Sequence, residues 1–220
     1  MGTAGQDGKR NAAIPELTML YYMFHKPRGC VTARSDAVHK TVMDYFPRDL
    51  AEQLHPVGRL DKDTCGLLLL TDDGYFDQRI MQPERHVPKT YFFYALGTMN
   101  TEKQALLEHG IDLAGFTTRD AAFAYDRSYR IRELEPYMPE DRRPRYMKNP
   151  EGPAFSGRLT ICEGKKREVR RMLAAVGCHI FYLRRERIGA LALDPELRPG
   201  KYRLLSAKEL ESVNKNGCFL

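Results

Sequence analysis

A run of four leucines, residues 67–70, constrains the fold of this chain more than any other feature. It follows the polar stretch Gly-Arg-Leu-Asp-Lys-Asp-Thr-Cys-Gly at 58–66 and ends on the turn sequence Asp-Asp-Gly at 72–74. We predict a buried strand over 65–71, which a polar loop enters at the edge of a sheet. Asp61 lies in that loop between basic neighbours, so we expect its carboxylate to be fixed and ionised. A carboxylate held in this way can act as a nucleophile or as a base.

The rest of the chain alternates short strands with short helices. Strands are predicted at 20–24, 89–97, 118–125, 158–162, 180–183 and 202–205, and helices at 41–46, 74–81, 101–108 and from 168 onward. Such an order has too many short strands for a doubly wound sheet. We predict an α+β fold with a mixed, mostly antiparallel central sheet that helices and loops flank.

The composition also suggests how the chain is divided. The expected division is a mobile N-terminal tail at 1–17, a folded domain at 18–212 with sub-lobes at 18–98 and 99–212, and a C-terminal tail at 213–220. The stretch 133–153 holds five prolines and nine charged residues, so we predict a long surface loop there.

Charge points weakly to a polyanionic partner, because the chain carries a net charge of +6. The clustering of the charge is more informative, since five of the seven residues at 165–171 are basic and a second basic cluster, Arg-Arg-Glu-Arg, follows at 184–187. A solvated helix face with Glu–Arg pairs is the alternative interpretation of this cluster. The five cysteines lack CxxC spacing, and the chain has neither a long apolar run nor a secretory signal. We therefore expect a cytoplasmic protein with no metal site and no membrane span.

Local chemistry alone leaves Asp61 as one candidate among several. An arbitrary aspartate in a surface turn usually pairs with a neighbour, here Arg59 or Lys62. Asp63 is a second candidate, either as a capping residue or as a partner of Arg59. Tyr91 lies on the predicted strand at 89–97, and a tyrosine on a sheet is more often a core ring than a catalytic group.

The leucine-rich stretch resembles the catalytic motif of the pseudouridine synthases, in particular the RsuA branch. The family pattern is Gly-Arg-Leu-Asp-x-x-Thr-x-Gly-Leu-Leu-Leu-Leu-Thr, then an acidic or amide residue and Asp-Gly, and residues 58–74 match it throughout. Shorter family elements are Lys-Pro-Arg-Gly at 26–29, Lys-Thr-Tyr at 89–91 and Glu-Gly-Lys-Lys-Arg-Glu-Val-Arg-Arg-Met at 163–172. The resemblance covers roughly 20–210.

The resemblance implies an enzyme that isomerises uridine to pseudouridine in RNA without a cofactor or metal, in an active-site cleft across the sheet. It makes Asp61 the nucleophile or base. It places Tyr91 against the target base and makes Arg170 the cation that pairs with Asp61. Residues expected to bind RNA are Lys26, Arg28, Arg59, Lys89, Lys165, Lys166, Arg167 and Arg171. Glu168 stands where related sequences usually have glutamine.

Two features of the chain bear on the target. Most of this branch begins with a small RNA-binding S4 module, for which the chain has no room, and the insertion at 133–153 is similar to that of the RluE-like members without the module. We therefore expect a monomer that acts on ribosomal RNA, with large-subunit (23S) RNA favoured over 16S RNA or tRNA. The alternatives are an RNA-binding ribosome-assembly factor on the same scaffold, and a metal-dependent nuclease that uses Asp61 with Asp63.

Overall fold

The computed structural model describes residues 19–82 and 85–214. The predicted N-terminal tail and most of the predicted C-terminal tail therefore lie outside the described residues. The strands are β1 (Tyr21–Lys26), β2 (His55–Val57), β3 (Cys65–Thr71), β4 (Lys89–Leu96), β5 (Asp112–Leu113), β6 (Phe116–Thr117), β7 (Ala122–Arg130), β8 (Pro153–Ile161), β9 (His179–Ile188), β10 (Leu191–Ala192) and β11 (Tyr202–Leu204).

Short helices connect and cover these strands. The α-helices are α1 (Arg48–Gln53), α2 (Gly74–Met81), α3 (Thr101–Glu108), α4 (Arg143–Tyr146), α5 (Glu168–Ala175) and α6 (Ala207–Asn214), with 3-10 helices at Met43–Tyr45 and Ile131–Tyr137. None of the helices in the described ranges is both long and apolar enough to cross a bilayer.

The central sheet has the strand order β11-β1-β3-β9-β4-β8-β7, with β2 paired to β3 and β10 paired to β9. The contact between β3 and β9 is parallel, and the other pairings in this sheet are antiparallel. The predicted α+β fold with a mixed, mostly antiparallel sheet is confirmed. β5 and β6 form a separate two-stranded hairpin.

Both faces of the sheet are covered. On one face, α3 and α5 pack through Leu107, Met172 and Leu173 onto side chains such as Phe93 of β4. We call this the α5 face. The opposite face is covered by α2 and by the segment 131–147. The core is therefore divided into layers by the sheet, as binary alternation along the strands requires.

The close pairing of β3 with β9 depends on Gly66. This residue has a φ of +106°, and a Cβ added to it would lie 2.2 Å from the carbonyl oxygen of Arg185. Only glycine adopts that conformation readily and leaves room for the neighbouring backbone. The strand that follows the Asp61 loop is thereby joined directly to β9.

Several elements differ from the sequence-based expectation. The predicted strand at 118–125 begins later in the structure, as β7 at Ala122. Thr118 instead closes the β5–β6 hairpin, because its N–H donates to the Ile111 carbonyl oxygen at 2.9 Å. The predicted helix at 41–46 is only a 3-10 turn. The predicted loop at 133–153 is wrong in that the segment contains α4 and most of a 3-10 helix and buries apolar side chains.

Candidate active site

A cavity of about 600 Å³ opens on the α5 face of the sheet, between the 58–64 loop, β4, β9 and the start of α5. All three residues predicted to be catalytic line it: Asp61, Tyr91 and Arg170. Five of the predicted RNA-binding cations also line it: Arg59, Lys89, Lys165, Lys166 and Arg167. The volume lies within the range of about 300–1,000 Å³ that is usual for small-molecule sites.

The 58–64 loop is held from below by Lys26. Its ammonium group is fully buried and donates to the carbonyl oxygens of Asp61 at 3.1 Å, Thr64 at 2.9 Å and Pro27 at 3.2 Å. Burial lowers the pKa of Lys26, against the opposing effect of nearby anionic groups. The prediction that Lys26 meets RNA phosphate is wrong, because its charge fixes the backbone of the 58–64 loop instead.

A second anchor of the loop is Thr32. Its hydroxyl donates to the carbonyl oxygen of Leu60 at 2.8 Å and accepts from the Leu60 N–H at 3.1 Å. The loop then closes with a hydrogen bond from the Thr64 N–H to the Asp61 carbonyl oxygen at 3.0 Å. The backbone around Asp61 is therefore fixed from both sides, which holds its half-buried side chain at the cavity wall.

Arg170 reaches the loop from α5 but contacts Asp63 rather than Asp61. Its guanidinium lies 3.6 Å from the Asp63 carboxylate and donates to the Asp63 carbonyl oxygen at 3.2 Å and to the Ile180 carbonyl oxygen at 3.0 Å. No ion pair within 4.0 Å joins the two described residues Arg170 and Asp61, so that predicted pair is not formed. The turn closed by Thr64 carries Asp63 towards α5.

Charge still couples Arg170 to Asp61. Burial lowers the pKa of Arg170, and the negative charges of Asp63 and then Asp61 oppose this effect. The Asp63 carboxylate is also 3.9 Å from Arg142, which belongs to the 131–147 segment. Asp63 thus offsets part of the charge of two arginines and leaves the Asp61 carboxylate available at the cavity.

Tyr91 lies on β4 and is 8% exposed. Lys89 precedes it by two residues and lines the same cavity, as the alternation of a strand requires. The Lys89 ammonium donates to the Val87 carbonyl oxygen at 2.9 Å. Burial and the charge of Arg185 lower the pKa of Lys89 to about 8, while Glu168 acts in the opposite direction. Lys89 is therefore a buried residue of the cavity wall, and its predicted contact with RNA stays a prediction.

The exposed cations lie at the rim of the cavity. Lys165, Lys166 and Arg167 precede α5 and are exposed, as is Arg59 on the opposite side. Arg167 has a φ of +55°, an uncommon backbone conformation for a residue other than glycine. The rim is therefore suited to bind the phosphates of a strand that enters the cavity.

Besides Lys26, two predicted RNA-binding residues do not line the cavity. Arg28 donates to the Tyr137 carbonyl oxygen at 2.8 Å and lies over the Tyr182 ring. Arg171 donates to the Ala114 carbonyl oxygen at 2.5 Å, with its guanidinium 4.8 Å from the centre of the Phe116 ring. Both arginines link elements of the fold.

Two residues of the site were not assigned a role from the sequence. Asp63 was considered only as a competitor of Asp61, and Arg185 only as part of a basic cluster. Arg185 is 3% exposed, lines the cavity and pairs in register with Tyr91. The basic cluster at 184–187 was a signal, but which of its arginines faces the cavity depends on strand register.

Comparison with known proteins finds relatives in sequence and in structure. The family described as RNA pseudouridylate synthase matches residues 20–175. The ribosomal small subunit pseudouridine synthase A of Pseudomonas aeruginosa is 38% identical over 194 residues, which cover 88% of this chain and 74% of that protein. The uncharacterized RNA pseudouridine synthase YtzG of Bacillus subtilis is 35% identical over 197 residues, covering 89% of this chain and 74% of that protein.

A solved structure is similar as well. The crystal structure of a pseudouridylate synthase superposes with a TM-score of 0.72 at 34% identity, covering 89% of this chain and 74% of that chain. These relatives do not single out the RluE-like members, and their names do not support a preference for large-subunit RNA. With a family match over 20–175 and relatives above 30% identity, the chain belongs to the RNA pseudouridylate synthase family, isomerases that act on RNA.

Proposed function

We propose that this protein converts a uridine of ribosomal RNA to pseudouridine, with small-subunit RNA as the first target to examine. The observation that carries the proposal is the joint placement of Asp61, Tyr91 and Arg170 on one cavity whose rim is basic. The choice of small-subunit RNA is supported by the name of relatives that are up to 38% identical.

The reaction is an isomerisation, so its atoms balance within the nucleotide. The bond between uracil N1 and ribose C1′ breaks, the base rotates, and a bond forms between C5 and C1′. The proton on C5 is lost and N1 gains one. Asp61 acts on the ribose, either by attack at C1′ or by removal of the 2′ proton to give a glycal.

The other cavity residues bind and orient the base. Tyr91 stacks on the flipped uracil, and such a ring is worth about 1–3 kcal/mol per base. Its hydroxyl accepts the C5 proton after the new bond has formed. The positive charge of Arg170, which contacts Asp63, also acts on the nearby Asp61 carboxylate. This attraction lowers the cost of holding the Asp61 carboxylate in a half-buried site.

The rim residues supply binding energy for base flipping. Extrusion of a base from a helix costs a few kcal/mol, and less from a loop. Contacts from Arg59, Lys165, Lys166 and Arg167 to RNA phosphates release counterions and offset this cost.

The test is a map of pseudouridines across total ribosomal RNA and tRNA by carbodiimide-stop sequencing. We compare cells with the wild-type gene, a deletion, Asp61→Ala, and the control Asp49→Ala, which alters an exposed carboxylate of α1. We expect one small-subunit site to disappear in the deletion and in Asp61→Ala, and to persist in Asp49→Ala.

Other results would change the proposal in defined ways. Loss of a large-subunit site would assign the target to that RNA and refute the small-subunit choice. If no ribosomal site changed while a tRNA site did, the substrate class would be wrong. A site that survives in Asp61→Ala but not in the deletion would refute the assignment of Asp61.

A further inference from the structure

Arg185 is a buried arginine whose hydrogen-bonding capacity is only partly used. Its Nε donates to the Leu67 carbonyl oxygen at 2.8 Å, while Nη2 is buried and has no hydrogen-bond partner among the described residues. No carboxylate in the described part of the chain lies within 4.0 Å of its guanidinium. A buried donor without an acceptor destabilises the folded state, and the cost is greater when the donor is charged.

A β-bulge places this side chain on the cavity. Thr90 pairs with Arg187, but Tyr91 pairs with Arg185, so the register skips Glu186. Without the bulge, Glu186 would stand opposite Tyr91 and Arg185 would move to the other face of the sheet. Bulges beside active sites often redirect a side chain in this way. The fold therefore aims a cation at the floor of the cavity.

The surroundings of Arg185 make the cavity floor electropositive. Lys89 lies on the same face of β4, two residues before Tyr91, and the charge of Arg185 contributes to lowering the pKa of Lys89. Glu168 is the acidic residue of this wall, and burial raises its pKa to about 7. An acceptor-rich ligand fits such a floor better than a hydrophobic one.

We propose that Arg185 binds a carbonyl oxygen of the flipped uracil and stabilises the negative charge that this base acquires when it leaves the ribose. The inference rests on the proposed function. When the N1–C1′ bond breaks, its electron pair stays on N1 and is shared by conjugation with O2 and O4. Nη2 donates a hydrogen bond to one of these oxygens, and the charge disappears when C5 bonds to C1′, C5 loses its proton and N1 is protonated. The role is the same for attack by Asp61 at C1′ and for the glycal route.

The position of Arg185 favours the base over a phosphate as its ligand. It faces Tyr91 across paired strands and is 3% exposed, whereas the cations Lys165, Lys166 and Arg167 are exposed at the rim. A phosphate stays on the backbone of the RNA, while the flipped base is the part that enters the cavity.

The first experiment measures single-turnover rates with an RNA fragment that contains the uridine located by the pseudouridine map. For Arg185→Gln and Arg185→Lys we expect the rate at saturating enzyme to fall about 10- to 150-fold, the value of a hydrogen bond to a charged group. The RNA dissociation constant should change by less than about threefold, because binding depends mainly on the rim. The matched control is Arg187→Gln, an exposed arginine of the same strand that donates to Ala190, and it should retain the wild-type rate.

The second experiment replaces O2 or O4 of the target uracil by sulfur, a weaker acceptor. If Arg185 bonds to that oxygen, the substitution slows the wild-type enzyme but has little further effect on Arg185→Lys. Should Arg185→Gln fail to fold, as judged by thermal melting, wild type and Arg185→Lys with the two thio-RNAs suffice.

The outcomes separate the two proposals. Full activity of Arg185→Lys, or additive effects with both thio-RNAs, would show that Arg185 only supports the Leu67 carbonyl, and would overturn the inference while the proposed function stands. If wild type leaves the uridine of the fragment unchanged, the proposed function falls, and the role of Arg185 falls with it.

Discussion

Glu168 begins α5 as a carboxylate almost without exposure. It is 3% exposed, and its side chain accepts the Lys165 N–H at 2.8 Å. Burial raises its pKa to about 7, the Lys165 N–H opposes this, Glu163 adds to it, and Lys89 opposes it again. A neutral side chain of similar shape would avoid the desolvation of the charge. Glu168 should therefore destabilise the folded state at neutral pH.

Replacing Glu168 by glutamine (Glu168→Gln) should stabilise the protein at high pH but not at low pH. The carboxyl binds its proton more tightly in the folded state than in the unfolded state, where its pKa is 4.5. The wild type therefore loses stability as the pH rises from 4.5 through 7, and the variant lacks this loss. At about pH 8 we expect the variant to melt at least about 2–4 °C higher, the shift that 1 kcal/mol gives in a chain of this size.

Thermal melts at about pH 4.5 and pH 8 measure this difference. The melting temperatures of variant and wild type should nearly coincide at the lower pH. Glu102→Gln, an exposed carboxylate in the first turn of α3, serves as the control and should show no pH-dependent gain. An equal shift at both pH values would mean that the charge of Glu168 is not the cause.

At the scale of elements, the segment 131–147 is part of the body of the protein. Leu134 is 1% exposed and packs with Met138 and Tyr146 against the face of the sheet opposite α5. The segment also reaches the 58–64 loop through Arg142, 3.9 Å from the Asp63 carboxylate. It therefore supports the site from behind while it covers the sheet.

We predict that Leu134→Ala lowers the free energy of unfolding by about 2–5 kcal/mol, the usual cost of emptying a buried leucine site. Urea denaturation measures the change. Leu106→Ala removes a leucine from α3 that is 55% exposed, and should cost less than about 0.5 kcal/mol. A similarly small loss for Leu134→Ala would restore the interpretation of this segment as a surface loop.

The error over 133–153 has a local physical reason. Prolines and charges argue against regular structure, but Pro144 lies in the first turn of α4, where its missing N–H is not needed. Pro136 lies inside a 3-10 helix, a type of helix that occurs in short pieces and does not need a long run of helix-forming residues. By contrast, 65–71 could be predicted because four consecutive leucines leave little alternative to burial.

The site was predictable as far as motifs reach. Asp61, Tyr91 and Arg170 were found by resemblance, and they line one cavity. The partner of Arg170 was not, because the turn at 61–64 decides which carboxylate meets α5. The position of Arg185 on the cavity was not predictable either, since a bulge in the pairing of β4 with β9 determines the face on which it lies.

At the scale of the whole molecule, the net charge of +6 matters through its distribution. Lys165, Lys166 and Arg167 lie together at the rim, beside the cavity that the base would enter. Charges at the rim should contact phosphates, whereas charges elsewhere contribute only to the general field of the protein.

We predict that changing these three residues to glutamine weakens RNA binding and reduces its salt dependence. The slope of log K against log salt should fall by about 2, or about 0.7 for each contact to a single strand. Fluorescence anisotropy with the ribosomal fragment, over about 50–200 mM salt, measures the slope. A control with the same loss of charge replaces three exposed cations elsewhere: Arg48, Lys148 and Lys208. Equal slopes for the two triple variants would contradict a localised interface.

The parallel pairing of β3 with β9 has a consequence for the folding of the protein during its synthesis. The hydrogen bond from Arg185 to Leu67 joins residues that are 118 positions apart in the sequence. The leucine motif at 67–70 is therefore synthesised well before the strand with which it pairs. Pairing over such a separation is slow, because the entropy of closing the intervening loop is lost before the contacts between the strands can form. A nascent chain that carries the complete leucine motif but not yet β9 has no cavity floor. The newly made protein should therefore become competent to modify RNA only after β9, residues 179–188, has been translated.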